Sequence, residues 1–263
     1  HFRESIESIL NQTIKPDEVI LVVDGPITPD LENVIKEYEN GSFFKTIRLP
    51  KNVGHGEARR KGLENCSNDL VALMDADDIS LPERFEKQIN CFAHDPDLAI
   101  VGGNIEEFID STDNVVGIRY VPQNDSEIKK YMKKRCPFNQ MTVMFKKHGI
   151  QKAGGYNDWY QNEDYYLWIR MYEAGAKFLN LNDTLVFVRV GKEMYKRRGG
   201  WKYFKSEALL QKYMLKKNII NKIEFIYNVS IRFILQVLMP NTVRGFIFKK
   251  FARKNPILKK KET

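Results

Sequence analysis

The sequence predicts an α/β protein whose mostly parallel central sheet carries helices on both faces. Two continuous apolar runs, at residues 19–23 and 70–74, have the length of strands that are buried on both faces. Segments of helical periodicity alternate with these runs, and that alternation favours a parallel sheet. Because ligands bind at the carboxyl ends of such strands, the residues that follow them are the first candidates for a functional site.

Local patterns define the remaining elements. Apolar positions three and four residues apart predict helices over 2–10, 31–38, 56–66, 85–92 and 163–174. Short apolar segments predict strands at 46–49, 98–101, 115–120 and 141–145. Two further strands, 177–181 and 185–190, are predicted to form a hairpin across Asn182-Asp183, so the second half is expected to add a mixed sheet edge.

Composition narrows the class of protein. With 43% hydrophobic and 12% aromatic residues, the 263-residue chain can build a packed core, which excludes a disordered protein. The three cysteines are odd in number and far apart, so they indicate neither a disulfide framework nor a zinc site. A reducing compartment is the simplest interpretation.

Charge and hydropathy distinguish the last quarter of the chain from the rest. Residues 196–263 contain 18 Lys and Arg against 3 Asp and Glu, a net charge of +15, although the whole chain carries only +8. Residues 219–239 are apolar but interrupted by charges, which predicts an interfacial helix rather than a membrane span. We therefore expect a domain at 1–195 and a basic amphipathic helical extension at 196–263 that associates with an anionic membrane. A solvated basic helix is the alternative.

Acidic residues follow both apolar runs: Asp24 comes after the first, and Asp75-Ala76-Asp77-Asp78 after the second. Three carboxylates within four residues repel one another, and a divalent cation among them relieves that repulsion. Their hard oxygen ligands suit Mg²⁺ or Mn²⁺, which could also hold a diphosphate. The alternative is an acidic loop that caps the following helix through its dipole.

A second acidic pair, Glu163-Asp164, begins a predicted helix among aromatic residues at 159, 160, 165, 166 and 168. A carboxylate in an aromatic-lined cleft could act as a general base toward a hydroxyl. The alternative is an N-terminal pair that only complements the helix dipole. Between the two apolar runs, residues 52–60 form a glycine-containing turn with Arg59, suited to an anion. Neither a Walker nor a GxGxxG motif is present.

Taken together, these motifs resemble those of the family 2 glycosyltransferases, which have the GT-A fold. The resemblance covers about residues 1–190 and is closest to the enzymes of capsule, exopolysaccharide and O-antigen synthesis. It rests on Asp24-Gly25, Asn52-Val53-Gly54 with Ala58-Arg59, Asp75-Ala76-Asp77-Asp78, and Glu163-Asp164-Tyr165 with Leu167-Trp168.

The resemblance implies a nucleotide-sugar-binding half at 1–110. There, Asp24 would accept a hydrogen bond from the nucleobase, which is uracil if the donor is a UDP-sugar. Arg59 would lie near the nucleotide, and Asp75 would contact the ribose or donor sugar. Asp77 would bind a Mn²⁺ or Mg²⁺ ion that bridges the diphosphate, with Asp78 supporting that metal site.

It also implies an acceptor-side half at 111–195. There, Asp164 would be the catalytic base and Glu163 would contact donor or acceptor. The implied reaction is a single inverting displacement onto a hydroxyl of a saccharide or polyprenyl-linked saccharide, in bacterial surface polysaccharide synthesis. The enzyme would lie peripherally on the cytoplasmic face of the cell membrane.

Family members open with a buried strand, whereas this chain begins at the helix that follows it. We therefore expect the central sheet to lack its first strand and the donor to bind more weakly.

Three other functions compete with this interpretation. A nucleotidyltransferase also pairs a parallel sheet with metal-binding aspartates, and a non-catalytic protein could bind the same sugar nucleotide. A nucleic-acid-binding protein fits the high isoelectric point but not the acidic first 195 residues, so no nucleic acid is expected as a partner.

Overall fold

The fold is that of a computed structural model, which describes residues 1–39, 43–191 and 199–240. The helices of that part are α1 (Phe2–Leu10), α2 (Pro29–Tyr38), α3 (His55–Asn65), α4 (Arg84–His94), α5 (Asp125–Met132), α6 (Lys147–Lys152), α7 (Glu163–Glu173), α8 (Trp201–Lys216) and α9 (Lys222–Phe233). The strands are β1 (Val19–Asp24), β2 (Phe44–Leu49), β3 (Leu70–Ala72), β4 (Ile79–Ser80), β5 (Leu98–Ile109), β6 (Ser111–Arg119), β7 (Met144–Lys146) and β8 (Lys177–Arg189).

These strands form two sheets. Strands β1 and β2 pair in parallel, and the other six form a sheet in the order β3-β7-β5-β8-β4, with β6 beside the second half of β5. Within this larger sheet β5 and β8 are parallel, whereas β3, β4, β6 and β7 join by antiparallel pairing. The predicted α/β class and the mixed sheet edge are confirmed.

Helices cover both faces of the larger sheet, as the apolar runs predicted. On one face α4 packs Phe85 and Phe92 against Val101 of β5. On the other, α7 lies in the largest buried cluster, where the fully buried Trp168 meets Phe138 edge-on with ring centroids 5.5 Å apart. Since α7 is buried on nearly every side, its first turn is held rigidly against the sheet.

The predicted hairpin at 177–190 is wrong. Residues Lys177–Arg189 form one continuous strand that pairs in parallel with β5 along its length. The turn-forming pair Asn182-Asp183 is absorbed as a bulge, because Gly103 pairs with Leu181 while its neighbour Asn104 pairs with Thr184. The Asn104 amide donates to the Asn182 carbonyl at 2.9 Å and stabilises this bulge.

The chain after residue 199 is helical, as predicted, and docks on the core. Met214 of α8 and the following Ile219 and Ile220 belong to the same buried cluster as α7. The predicted helix over 219–239 begins later, at Lys222, behind a capping box of Asn221 and Glu224, and ends in a π-helical segment, Ile234–Leu238. Residues 196–198 and 241–263 of the predicted extension lie outside the described residues. Within the described ranges, no helix combines the length and apolar content needed to cross a bilayer.

Candidate active site

The acidic motifs meet beside the carboxyl ends of β1 and β3 and the first turns of α3 and α7. Asp24, the last residue of β1, accepts hydrogen bonds from the backbone amides of Val53 at 2.7 Å and Gly54 at 3.0 Å. Gly25 has φ of +99°, and a Cβ there would lie 2.7 Å from the backbone nitrogen of Asn52. This close approach fixes the end of β1 to the loop that leads into α3.

Arg59 connects three motifs that are distant in sequence. Its Nη1 donates to Oε1 of Glu163 at 2.6 Å, and its Nη2 lies 3.7 Å from Oδ1 of Asp75. Burial lowers the pKa of Arg59, but Tyr156, Asp75 and Glu163 outweigh it, so the net shift is upward. The guanidinium is therefore a permanent positive charge between the two acidic motifs.

The two carboxylates at the start of α7 have different environments. Glu163 is buried, and this burial, with the negative charge of Asp164, raises its pKa despite the opposing Arg59. Asp164 is more exposed, and its Oδ1 accepts the backbone amide of Tyr165 at 2.6 Å. Of the pair, Asp164 is therefore the carboxylate that a bound molecule reaches more easily.

The three carboxylates of the aspartate cluster point in different directions and have different surroundings. Asp75 is partly buried and faces Arg59; burial raises its pKa, which Arg59 opposes and Asp77 reinforces. Asp77 is exposed. Asp78 is buried, and its Oδ1 accepts the backbone amide of Arg189 at 2.9 Å, while desolvation raises its pKa to about 8. Asp78 thus anchors the loop to β8, and Asp77 presents its carboxylate outward.

These side chains do not form a ready-made metal cage. Among the described residues, no three His, Cys, Asp or Glu side chains converge on a point that could hold a metal ion. Mg²⁺ is commonly held by one or two carboxylates together with substrate phosphates and water. The exposed Asp77 carboxylate fits a divalent cation that arrives with an anionic ligand.

The expected aromatic lining is only partly present. Tyr165 and Trp168 are buried in the core, and the Tyr165 hydroxyl donates to the backbone carbonyl of Met132, so neither lines the cleft. These two positions fall on the inward side of α7, which sequence alone could not distinguish from the cleft side. Tyr160, which precedes the helix, is exposed.

Two arginines that sequence reasoning missed support the cluster. Arg189, at the end of β8, donates its Nε to the Asp77 carbonyl at 3.3 Å and its Nη2 to Glu4 at 2.8 Å. Arg84 is fully buried beneath β3, where it donates to the Leu73 carbonyl at 2.7 Å and burial lowers its pKa to about 9. Two polar residues four positions apart on the apolar face of α4, Arg84 and Gln88, could have indicated from sequence that Arg84 is buried. No sequence pattern indicated the role of Arg189.

A cavity of about 490 Å³ lies elsewhere, at the amino ends of β5 and β8, where Cys91, His94 and Lys177 line it. The candidate site is identified by the chemistry of its side chains rather than by a cavity.

Comparison with known proteins agrees with this geometry. The profile described as "Glycosyl transferase family 2" matches residues 2–156. An uncharacterized glycosyltransferase of Haemophilus influenzae is 41% identical over 96% of this chain and 93% of its own length. The Escherichia coli UDP-Gal:alpha-D-GlcNAc-diphosphoundecaprenol beta-1,3-galactosyltransferase is 39% identical over 95% of this chain and 90% of its own. The Erwinia amylovora amylovoran biosynthesis glycosyltransferase AmsE is 36% identical over 95% and 93%.

Solved structures share the fold. That of S. aureus TarS 1-349 in complex with UDP-GlcNAc superposes with a TM-score of 0.63, at 15% identity, over 89% of this chain and 69% of that one.

Proposed function

Because the chain belongs to glycosyltransferase family 2, with a GT-A fold, and is a glycosyltransferase, we propose that it transfers a sugar from a UDP-sugar to a saccharide hydroxyl with inversion. The acceptor is a saccharide or lipid-linked saccharide of bacterial surface polysaccharide synthesis. The observation that carries the proposal is the contact of Arg59 with both Asp75 and Glu163. This contact joins the proposed donor motif, residues 75–78, and the proposed acceptor motif, residues 163–164, in one site.

On the donor side, we assign Asp24 to the nucleobase, Arg59 to the nucleotide and Asp75 to the ribose or donor sugar. Each carboxylate oxygen of Asp24 accepts one backbone amide and keeps capacity for a further donor. A UDP-sugar is favoured because the E. coli relative's name specifies UDP-Gal and TarS was solved with UDP-GlcNAc.

Asp77 would hold Mn²⁺ or Mg²⁺, and Asp78 would support that site by fixing the loop to β8. The ion, when bound, neutralises the charge that develops on a diphosphate leaving group. A diphosphate neutralised in this way would leave without a proton, so we assign no residue of the site as a general acid.

On the acceptor side, Asp164 accepts the proton of the attacking hydroxyl, and Glu163, held by Arg59, contacts donor or acceptor. The hydroxyl oxygen forms its bond to the anomeric carbon as the bond to the diphosphate breaks on the opposite side. A single displacement of this kind inverts the anomeric configuration. It needs one base, whereas a glycosidase needs two carboxyl groups that flank the bond.

The extension at 196–263 places the enzyme peripherally on the inner face of the cell membrane. Exposed lysines on α8 and the start of α9 support this, since each lysine or arginine near an anionic leaflet contributes about 1 kcal/mol. The E. coli relative's name specifies a diphosphoundecaprenol-linked acceptor, which resides in a membrane.

The proposal is tested by incubating the protein with a panel of sugar nucleotides and Mn²⁺ and measuring released nucleoside diphosphate. We expect release from one donor, abolished by chelator, by Asp77→Ala and by Asp164→Asn, but retained in the control Asp113→Asn, an exposed aspartate of β6. NMR of the product's anomeric configuration tests inversion.

Three results would contradict parts of this proposal. Release that survives Asp164→Asn excludes that residue as the base. Pyrophosphate in place of the diphosphate indicates a nucleotidyltransferase. Donor binding without release, in the presence of lipid-linked acceptor, indicates a non-catalytic binding protein.

A further inference from the structure

Helix α9 and the π-helical residues after it are polar on the inside and apolar on the outside. Asn228, Arg232 and Gln236, spaced four residues apart, form a buried row. Asn228 donates to the Lys133 carbonyl at 2.9 Å and to Gln211 at 2.8 Å, and Arg232 donates to Glu207 at 2.7 Å and to the Lys134 carbonyl at 2.6 Å. The polar row thus attaches the helix to the rest of the protein through hydrogen bonds.

The opposite side of the helix faces outward and is apolar. Its large side chains are between 39% and 79% exposed, and they follow helical spacing: Ile223, Ile226, Tyr227, Ile231, Ile234 and Leu238. A helix at a water-facing surface normally shows the reverse arrangement. A continuous apolar stripe of this length in a soluble protein marks a surface that contacts another apolar phase.

The two C-terminal helices also carry positive charge. Exposed lysines lie on α8 and at the start of α9: Lys202, Lys205, Lys212, Lys216 and Lys222. The two acidic residues of these helices are engaged elsewhere, because Glu207 pairs with Arg232 and Glu224 forms the capping box. Trp201, 53% exposed, packs against Phe233 and belongs to the same surface.

We propose that α9 lies in the plane of an anionic bilayer with this outward face inserted at the boundary between headgroups and acyl chains. The inference deepens the proposed membrane association, on which it rests, by specifying the surface that enters the lipid. An apolar stripe beside lysines is the pattern of an interfacial helix. A second copy of the chain fits less well, because two such surfaces would bring their lysines together, whereas an anionic headgroup layer compensates them.

Helix α8, which Glu207 joins to Arg232 of the inserted helix, contacts the segment before the candidate base. The Ser206 hydroxyl of α8 donates to the Tyr160 carbonyl at 2.6 Å, and Asn162 donates to that hydroxyl at 3.1 Å. The Lys202 ammonium lies 4.1 Å from the centre of the Tyr160 ring. Since residues 160–162 lead directly into Glu163-Asp164, insertion of α9 fixes the height of Asp164 above the lipid. A membrane-bound acceptor hydroxyl at that height becomes the preferred substrate.

Sedimentation with vesicles of phosphatidylglycerol and phosphatidylcholine tests the proposal on the full chain. Substituting Ile223, Ile226 and Ile234 together by serine should lower the partition coefficient about 100-fold, a loss that persists in high salt because it is apolar. The matched control substitutes three exposed apolar residues elsewhere, Ile14, Ile109 and Val116, by serine and should partition like the wild type. Circular dichroism confirms that both variants fold.

A second measurement uses tryptophan fluorescence, with Trp201→Phe as its reference. The wild type should be quenched by vesicles that carry bromine on their acyl chains, and Trp201→Phe should lose most of that quenching because Trp168 is buried. Unchanged partitioning of the triple variant, absence of quenching, or a loss of self-association in place of a loss of vesicle binding would each overturn the proposal. Release of nucleoside diphosphate in detergent-free solution reports separately on the transferase activity, so the two failures are distinguishable.

Discussion

Arg59 Nη1 and Glu163 Oε1 lie 2.6 Å apart, although 104 positions separate the two residues in sequence. The pair is largely shielded from solvent, with side-chain exposures of 19% and 10%. It fixes the first turn of α3 against the first turn of α7, where the Glu163-Asp164 pair lies.

The first prediction concerns this pair. Arg59→Ala should lower the free energy of unfolding by about 3 kcal/mol, because it leaves the buried Glu163 carboxylate without a counter-charge. The double variant Arg59→Met/Glu163→Leu should regain most of that stability but no activity. Urea denaturation and diphosphate release measure the two effects. Activity in the double variant would show that the pair is structural only.

The second prediction concerns Gly25. Gly25→Ala should lower the free energy of unfolding by more than about 1 kcal/mol and weaken donor binding, because φ of +99° and the 2.7 Å approach to Asn52 exclude a Cβ. Gly191 is the matched control, since a Cβ there meets no atom within 4 Å. Calorimetric titration with UDP and thermal denaturation should separate the two variants; equal behaviour would exclude a role for the turn.

The third prediction concerns Arg189 as a positioning residue. Arg189→Ala should raise the Mn²⁺ concentration needed for half-maximal activity about tenfold, because the Asp77 carbonyl loses the hydrogen bond from the Arg189 side chain. Asp77 itself and the backbone bond from residue 189 to Asp78 remain. Arg48→Ala, which breaks two exposed ion pairs with Glu32 and Glu39, serves as the control. A fall in kcat at saturating Mn²⁺ with an unchanged metal requirement would contradict positioning through the loop.

The fourth prediction is a pH dependence of stability. Burial opposes the charge of Asp69, but hydrogen bonds from the backbone and ring of His148 outweigh it and lower its pKa. Because the pKa of Asp69 is lower in the folded state than in the unfolded state, Asp69 stabilises the folded protein at pH values above its ordinary pKa of about 4. That stabilisation is lost as the pH falls through the pKa of Asp69 in the folded state. Asp69→Asn should therefore lower Tm at about pH 7 but not at about pH 2.

The expected size of this effect is at most about 1 kcal/mol, because Asp69 is half exposed and solvent screens its interactions. Asp113→Asn, at an exposed site in β6, should leave Tm unchanged across the same range. If the difference in Tm between Asp69→Asn and the wild type instead grew on acidification, the pH dependence would have the opposite sign and the His148 contact would be excluded as its cause.

The sequence by itself determined the α/β class and the family, and it predicted the ends of β1 and β3 as the location of the site. Apolar runs, helical periodicity and acidic residues after strands are local features, and each can be recognised within about ten residues. The same local rules failed at Asn182-Asp183, where pairing with β5 along the whole of β8 outweighed the preference of two residues for a turn.

Only the tertiary structure decided which way each side chain faces. Asp77 and Asp78 are neighbours of identical chemistry, yet one is exposed and the other is buried against the backbone of Arg189, 111 positions away. The inverted polarity of α9 likewise depends on Glu207, Gln211 and the carbonyls of residues 133 and 134, which accept its hydrogen bonds. Burial and hydrogen bonding are set by distant partners, and no periodicity within one segment records where those partners lie.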